Sequence, residues 1–319
     1  MKIENNKVKK TINLNFKLIG FALIGISLFC KIQIAQATEI SPLFGVGQEN
    51  FGFELTDIGN NKPILKFEPN MAGVSRIGLN AYGFGLGYSF RGSSKDLDPA
   101  KGSTTFYDLQ LGYHTPNWGI ESFYQTYKGF FTESTQALQT FPNLEFQHYG
   151  LMGRYALSES EFSVGGLLDQ SESIRSTAGK YYLLSGFRHH RMQNPNSLLQ
   201  QNYAGINPEL ESLRDLTVSS FNLGLGAGKY WVSNSHYFFG GLIDLVGTYG
   251  LYRFKDTAEE TSSSYSTLSY DVKMGMGYSG DFFKTGLSFS ADVTTLRSPG
   301  ASYFRTSAQR FLFYIRFIF

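Results

Sequence analysis

Histidine is the residue type here best suited to acid–base or metal chemistry, and the chain has five: His114, His148, His189, His190 and His236. An imidazole changes charge near neutral pH and ligates metals when unprotonated. "SNSHYF", Ser233 to Phe238, sets a serine beside a histidine as a nucleophile and its general base would be. It matches no recognisable nucleophile motif and falls where the chain is expected to turn. "RHHR", Arg188 to Arg191, offers charge for phosphate and two imidazoles for a metal. Adjacent side chains of a strand point to opposite faces, so His189 and His190 do not converge on one ion. The cluster reads better as a rim that touches anionic head groups. No catalytic, cofactor-binding or metal-ligating residue is assigned, no cofactor is expected, and the chain is not expected to be an enzyme.

A second polar set recurs at alternate positions of apolar segments: Asp108, Gln110, His148, Arg154, Asp169, Asp244, Asp271, Lys273, Lys284, Asp292 and Arg316. Alternation places such residues on one face of a strand and the apolar ones on the other. In "FYDLQLGYH", Asp108 and Gln110 oppose Leu109 and Leu111; in "FFKTGLSFSADV", Lys284 and Asp292 oppose Phe283 and Phe289. The chain ends in "RFLFYIRFIF", where Phe311, Phe313, Ile315, Phe317 and Phe319 share one wholly apolar face. That segment is too short to cross a bilayer as a helix, but long enough to do so as a strand. The polar set would then line an interior. It can fill a closed lumen by pairing internally and with an inserted loop, or line a hydrated channel.

The elements that must carry these faces are strands. The sequence has 35 glycines, 29 phenylalanines and 20 tyrosines beside 17% charged residues, a composition that favours aromatic-rich strands over long helices. Residues 1–37 read as a cleavable signal peptide: lysines precede "LIGFALIGISLFC", and "AQA" at Ala35 to Ala37 supplies small residues for cleavage before Thr38. Phe29 stands before Cys30 where a lipoprotein signal needs a small residue, so Cys30 is expected to leave with the peptide. The leader holds six of the 28 basic and one of the 26 acidic residues, leaving 22 against 25, or −3. A chain without basic excess is not expected to bind nucleic acid.

Export, alternation and the aromatic C-terminal strand together point to an all-β fold, a transmembrane antiparallel β-barrel of the outer membrane, with about 12 strands and 14 as the alternative. Residues 38–62 form a periplasmic N-terminal segment or a first strand, and 63–319 form the barrel. Strands are expected near 64–80, 83–91, 103–114, 118–128, 145–157, 161–171, 179–190, 214–232, 236–254, 265–280, 282–294 and 306–319. If all tight turns lie on one side, the strands at 179–190 and 214–232 would run in the same direction, which a meander forbids. Either 191–213 hides a crossing and "NFGFELTD" adds a strand, or some long loops of the first half face the periplasm. "NPNS" and "INPE" mark 191–213 as an irregular polar loop, suited to a plug or an external binding loop.

"LKFEPNMAGVSRIGLNAYGFGLGYSF" (Leu65 to Phe90) and "FYDLQLGYHTPNWGIESFYQTYKGFF" (Phe106 to Phe131) resemble the bacterial family called domain of unknown function 4421. "STAGKYYLLSG" (Ser176 to Gly186) and "FNLGLGAGKYWV" (Phe221 to Val232) look like later parts of the same pattern, with a departure at Lys180, where the family favours serine. The resemblance implies an outer-membrane barrel and no transferable catalytic residue. The expected role is structural or surface-binding with a polar, plugged or narrow lumen; a small-solute channel is the alternative and a lipid-modifying enzyme the least favoured reading. Expected partners are outer-membrane lipid and lipopolysaccharide, and the barrel-assembly machinery, which would read the C-terminal strand.

Overall fold

A computed structural model describes residues 40–57, 63–92, 98–133, 138–195, 214–233, 236–255, 260–297 and 302–319. The expected leader and most of the 191–213 segment lie outside them. The described chain forms β1 (Ile40–Asp57), β2 (Pro63–Phe67), β3 (Val74–Ala81), β4 (Phe84–Arg91), β5 (Thr105–His114), β6 (Trp118–Glu133), β7 (Leu138–Ala156), β8 (Ala178–Gln193), β9 (Asp215–Val232), β10 (Tyr237–Lys255), β11 (Glu260–Ser279), β12 (Phe283–Arg297) and β13 (Ser302–Phe317). One helix, α1 (Val164–Asp169), interrupts the series between β7 and β8.

The strands form one antiparallel sheet that closes on itself where β13 pairs with β1. Closure gives every wall strand two neighbours, which is what lets strands cross lipid without an open edge. β2 pairs with β1 at residues 53–56 and β3 pairs with it at residues 40–47, so these two share one position in the wall. Thirteen strands less that shared position give twelve staves. Pro69 and Gly73 lie in the gap that splits the expected 64–80 strand into β2 and β3. β2 then bypasses β3–β5: Glu68 and Phe131 of β6 exchange backbone hydrogen bonds at 2.9 Å each. Gly129, at φ 91°, makes the bulge at which β6 leaves β5 for this new neighbour.

Two sequence expectations change here. The expected strand at 161–171 is absent; this stretch folds inside the barrel around α1. Ser163 caps the helix by accepting from the Gly166 amide at 3.0 Å, and the apolar Phe162, Val164 and Leu167 bury against the inner wall instead of pairing as a strand. Of the two readings of 38–62, a periplasmic segment or a first strand, the structure shows the strand: "NFGFELTD" is part of β1, and the barrel wall begins at Ile40 ahead of residue 63. Losing one expected strand and gaining another keeps the stave count at twelve and removes the clash of direction, since β8 and β9 pair as ordinary antiparallel neighbours.

The short turns at Tyr82–Gly83, 115–117 and 280–282, together with Ser233 and His236, lie at the end where Ile40 and Phe319 exchange backbone hydrogen bonds at 3.2 and 3.1 Å. Tyr82 and Gly83 both take positive φ, the backbone of a two-residue hairpin turn. Outside, the wall is apolar: Phe239, Ile243, Leu245 and Leu251 of β10, and Phe311, Phe313, Ile315 and Phe317 of β13, are exposed. Aromatic rows edge this belt. Tyr107, Tyr124, Tyr149 and His189 stack in series across β5–β8 at 6.0, 6.2 and 4.6 Å towards the loop end, while Trp231 stacks on Phe239 near the turn end. From Tyr237 to Tyr249 the belt spans about 30 Å along the barrel axis, taking ~3.3 Å per residue and a tilt of ~40°. The exterior is therefore built to face lipid.

Candidate functional site

The interior has three levels. At the turn end, residues 158–177 fold into the lumen as a plug. Phe162 stacks on Tyr230 at 4.9 Å, and Leu167 is fully buried. The wall makes room with glycines: a methyl on Gly228 would strike the Phe162 ring, and one on Gly275 the Leu167 carbonyl. Gln170 ends α1 in a left-handed conformation, donating through Nε2 to the Thr285 carbonyl and the Tyr314 hydroxyl at 3.0 Å each. Lys284 donates to the Gln170 carbonyl at 3.3 Å and to Ser173 at 3.1 Å. Arg316 binds Asp169 and Ser41.

At the loop end the lumen is filled by hydrocarbon. Phe51 of β1 stacks on Tyr127 of β6 at 4.3 Å, and Phe53 meets Phe67 at 4.6 Å, Phe130 at 5.3 Å and Phe146 of β7 at 5.8 Å. These strands are not neighbours in the membrane-level ring; the shortcut through β2 draws them together.

Between plug and aromatic core lies a cavity of about 310 Å³, whose mixed lining includes Arg76, Gln110, Arg154, Arg188, Asp271 and Arg310 beside leucine and phenylalanine side chains. Two ion networks and one isolated pair cross it. Arg310 Nη2 reaches Glu49 at 2.7 Å and Asp108 at 2.6 Å, Tyr127 donates to Glu49, and Gln110 links Asp108 (2.8 Å) to Arg76 (2.8 Å). Arg154 binds Glu121 and, at 3.1 Å, Asp244, while Lys273 binds Asp271 at 2.9 Å and stands 4.0 Å from Asp244. Arg188 pairs with Asp292 at 3.0 Å, joining β8 to β12. His148 stacks on His190 at 4.1 Å where the cavity meets the core. Charges withdrawn from water need such partners, and most of these have them.

Every residue of the expected lumen set faces this interior: Asp108, Gln110, His148, Arg154, Asp244, Asp271, Lys273 and Asp292 around the cavity, Lys284 and Arg316 beneath the plug. Asp169 is there too, but on α1 rather than on a strand, because the helix replaces the expected crossing. Glu49, Arg76, Glu121, Arg188 and Arg310 were absent from that set. Alternation pointed to two of them: Arg310 continues the inner series Leu312, Tyr314, Arg316, and Arg76 precedes the outward Ile77 and Leu79. Glu49 lies in 38–62, where the sequence fits a periplasmic segment as well as a first strand, so its inward direction follows only from β1. In "RHHR", Arg188 and His190 face inward and His189 and Arg191 outward, so the cluster is no single site. His236 lies just before β10, edge-on to Tyr278 at 6.2 Å. Among the described residues no group of His, Cys, Asp or Glu is arranged to hold a metal ion.

The model of the family described as Domain of unknown function (DUF4421) matches residues 46–319, nearly the whole barrel. The chain belongs to this family. No curated protein matches it. Among solved structures, the DUF4421 barrel is similar to the outer membrane protease OmpT from Escherichia coli at 7% identity and a TM-score of 0.39, covering 90% of this chain and 99% of that one. It is also similar to the beta domain of the Bordetella autotransporter BrkA at 11% identity and a TM-score of 0.35 (86% and 98% covered). A third is the KdgM porin in complex with disordered oligogalacturonate, at 9% identity and a TM-score of 0.29 (86% and 99% covered). No side-chain role passes from these structures to this chain.

Proposed function

We propose that this DUF4421 protein is an outer-membrane barrel with an occluded lumen, serving as a structural or surface-binding element rather than as a standing pore. The observation that carries the reading is the contact of β1 with β6 and β7 through Phe51, Phe53, Tyr127 and Phe146, which fills the loop end with packed rings. In this reading residues 1–37 direct export and are removed, so the mature protein starts at Thr38. The loop end faces outward, since short turns face the periplasm in bacterial barrels. Lipid and lipopolysaccharide contact the apolar belt, and the outward Phe311, Phe313, Ile315 and Phe317 present the strand that the assembly machinery would recognise. No catalytic step is part of the reading.

Planar-bilayer recording tests it. Purified wild-type protein is expected to give no stable unitary conductance, and steady open-channel currents would overturn the proposal. One observation favours a second reading, a gated small-solute channel: a cavity with charged residues in its lining already occupies the middle of the barrel, and among the described residues the plug, held by both apolar packing and polar ties, closes it towards the turn end. Currents that appear only after the plug is loosened would support it.

A further inference from the structure

We propose that the stacked histidines His148 and His190 form a proton-sensitive latch that holds the aromatic core of the loop end shut and releases it in acid. The latch rests on the occluded-lumen reading above. The two rings face each other from β7 and β8, paired in register, with centroids 4.1 Å apart and planes inclined by 15°. They carry the packed rings of the core down to the cavity: Phe53 meets Phe146 at 5.8 Å, Phe146 meets His190 at 6.0 Å, and beyond the stack Phe123 of β6 stands edge-on to His148 at 4.6 Å. His190 is 2% exposed, while His148 is half-buried in the cavity lining. Among the described residues no hydrogen-bond partner reaches His148 Nε2 or either nitrogen of His190. By contrast, the outward His189 bonds Ser219 at 2.8 Å, and His114 lies 3.8 Å from the Glu121 carboxylate.

The elements packed around the pair present it, among the described residues, with no unbound carboxylate. β6 offers Phe123 and, in register with His148, Gln125. β9 places Val218 in register with His190, and Phe53 of β1, Leu296 of β12, and Phe304 and Thr306 of β13 line a small pocket with that ring. β8 contributes a cation, Arg188, two residues before His190 and close enough to act on both rings. The carboxylates of the cavity are held by other cations: Asp292 by Arg188 at 3.0 Å, Asp271 by Lys273 at 2.9 Å and Glu49 by Arg310 at 2.7 Å. Histidine is the side chain that takes up a proton between neutral and mildly acid pH. A proton arriving through the cavity would therefore put a cation on a ring stacked against a second imidazole, near Arg188 and among phenyl rings, where a charge without a partner is costly. The charged ring gains water only by turning out of the stack into the cavity, and the core rings then lose their floor.

Oxidation of Met192 by hydrogen peroxide tests the latch. Met192 follows His190 by two residues, lines the same small pocket and is 3% exposed. Its thioether does not titrate, so pH acts on its conversion to the sulfoxide only through the protein around it. In the full protein folded in detergent, peptide mass spectrometry should find Met192 oxidised about thirtyfold faster at pH 5.0 than at pH 7.5 if release lets one histidine titrate at its ordinary pKa of about 6.5. The outward Met274 should oxidise at the same rate at both pH values. His148→Phe/His190→Phe keeps two stacked rings without a titrating nitrogen and should lose the acceleration. His148→Gln/His190→Gln should lose it too, and heat-modifiable gel migration identifies which variants form barrels. Equal protection of Met192 at the two pH values in the wild type overturns the latch, as does a wild-type acceleration in a folded double variant. Oxidation of Met192 at pH 7.5 as fast as in the urea-unfolded protein would instead overturn the occluded core on which the latch depends.

Discussion

Arg316, on the last strand, and Asp169, on the last residue of α1, are joined twice: Nη2 lies 3.2 Å from Oδ2, and Nε donates to the Asp169 carbonyl at 2.9 Å. The remaining arm, Nη1, donates to both oxygens of Ser41 on β1 at 2.9 Å. One buried guanidinium therefore links the plug to the seam where the first and last strands close the ring. Plug docking and barrel closure share a residue.

Replacing Arg316 with methionine keeps most of the volume and removes all four bonds. Ser41 and Asp169 then lose a buried partner, for which a cost of about 3 kcal/mol is expected. Urea unfolding in detergent measures it. Limited proteolysis should show new cleavage within 158–177, and an unchanged digest would mean the plug is held without this residue.

The glycines facing the plug make a separate prediction. Gly275→Val would push a side chain into the Leu167 carbonyl, whereas Gly241, whose added Cβ meets only ordinary contacts at 3.4 Å and beyond, should accept alanine with little effect. Gly275→Val is expected to cost about 1–3 kcal/mol as an overpacked position. Thermal unfolding of the two variants side by side decides it. Equal melting temperatures would show that α1 does not press on this wall.

Period-two alternation made the wall legible: Leu109 and Leu111 lie outside, Asp108 and Gln110 inside, and the last strand presents Phe311 to Phe317 outward. It failed where the same pattern served a different purpose. Phe162 and Val164 alternate with polar residues like a strand, yet the following glycine pair lets the backbone coil against Tyr230. The tilt of β1 into the loop-end core was equally hidden. Phe51, Phe53 and Leu55 read as one apolar face, and only the bypass by β2 reveals that this face is buried within the barrel rather than exposed to lipid.

Arg154 offers a test of the cross-lumen network. Alone, Arg154→Met takes the nearer cation from the buried Asp244 carboxylate, leaving Lys273 at 4.0 Å, and should cost about 3 kcal/mol. Adding Asp244→Leu removes the weakly matched charge and should recover part of that loss, while Glu121, half-buried at the cavity, can take water. A double-mutant cycle by urea unfolding reads the coupling directly. A purely additive result would show that the Arg154–Asp244 contact at 3.1 Å is not an energetic bridge.

The apolar core of the loop end should be as demanding as the interior of a soluble protein. Phe53 touches three other rings within 6 Å and is almost fully buried. Phe53→Ala should lose about 3–5 kcal/mol. A loss below about 1 kcal/mol would mean that the rings are not packed as a core, and would weaken the occluded-lumen reading with it.

Depth along β10 separates a lipid-facing wall from a merely apolar one. Ile243 and Leu251 lie on the same outward face, 55% and 57% exposed, so burial against protein cannot distinguish them. Their neighbours differ: Ile243 pairs in register with Ala227 and Val272, in the middle of the belt, while Leu251 pairs with Ser219 and Ser264 and is followed two residues later by Arg253. Arginine at a bilayer midplane costs roughly 2–4 kcal/mol, but near the interface only about 0–1, because its guanidinium reaches head groups or water. Ile243→Arg should therefore cut folding yield into phosphatidylcholine vesicles far more than Leu251→Arg. In a water-exposed sheet both arginines would be solvated and nearly neutral. Equal yields for the two variants, or folding of the wild type in buffer without lipid or detergent, would remove the membrane from the account of this barrel.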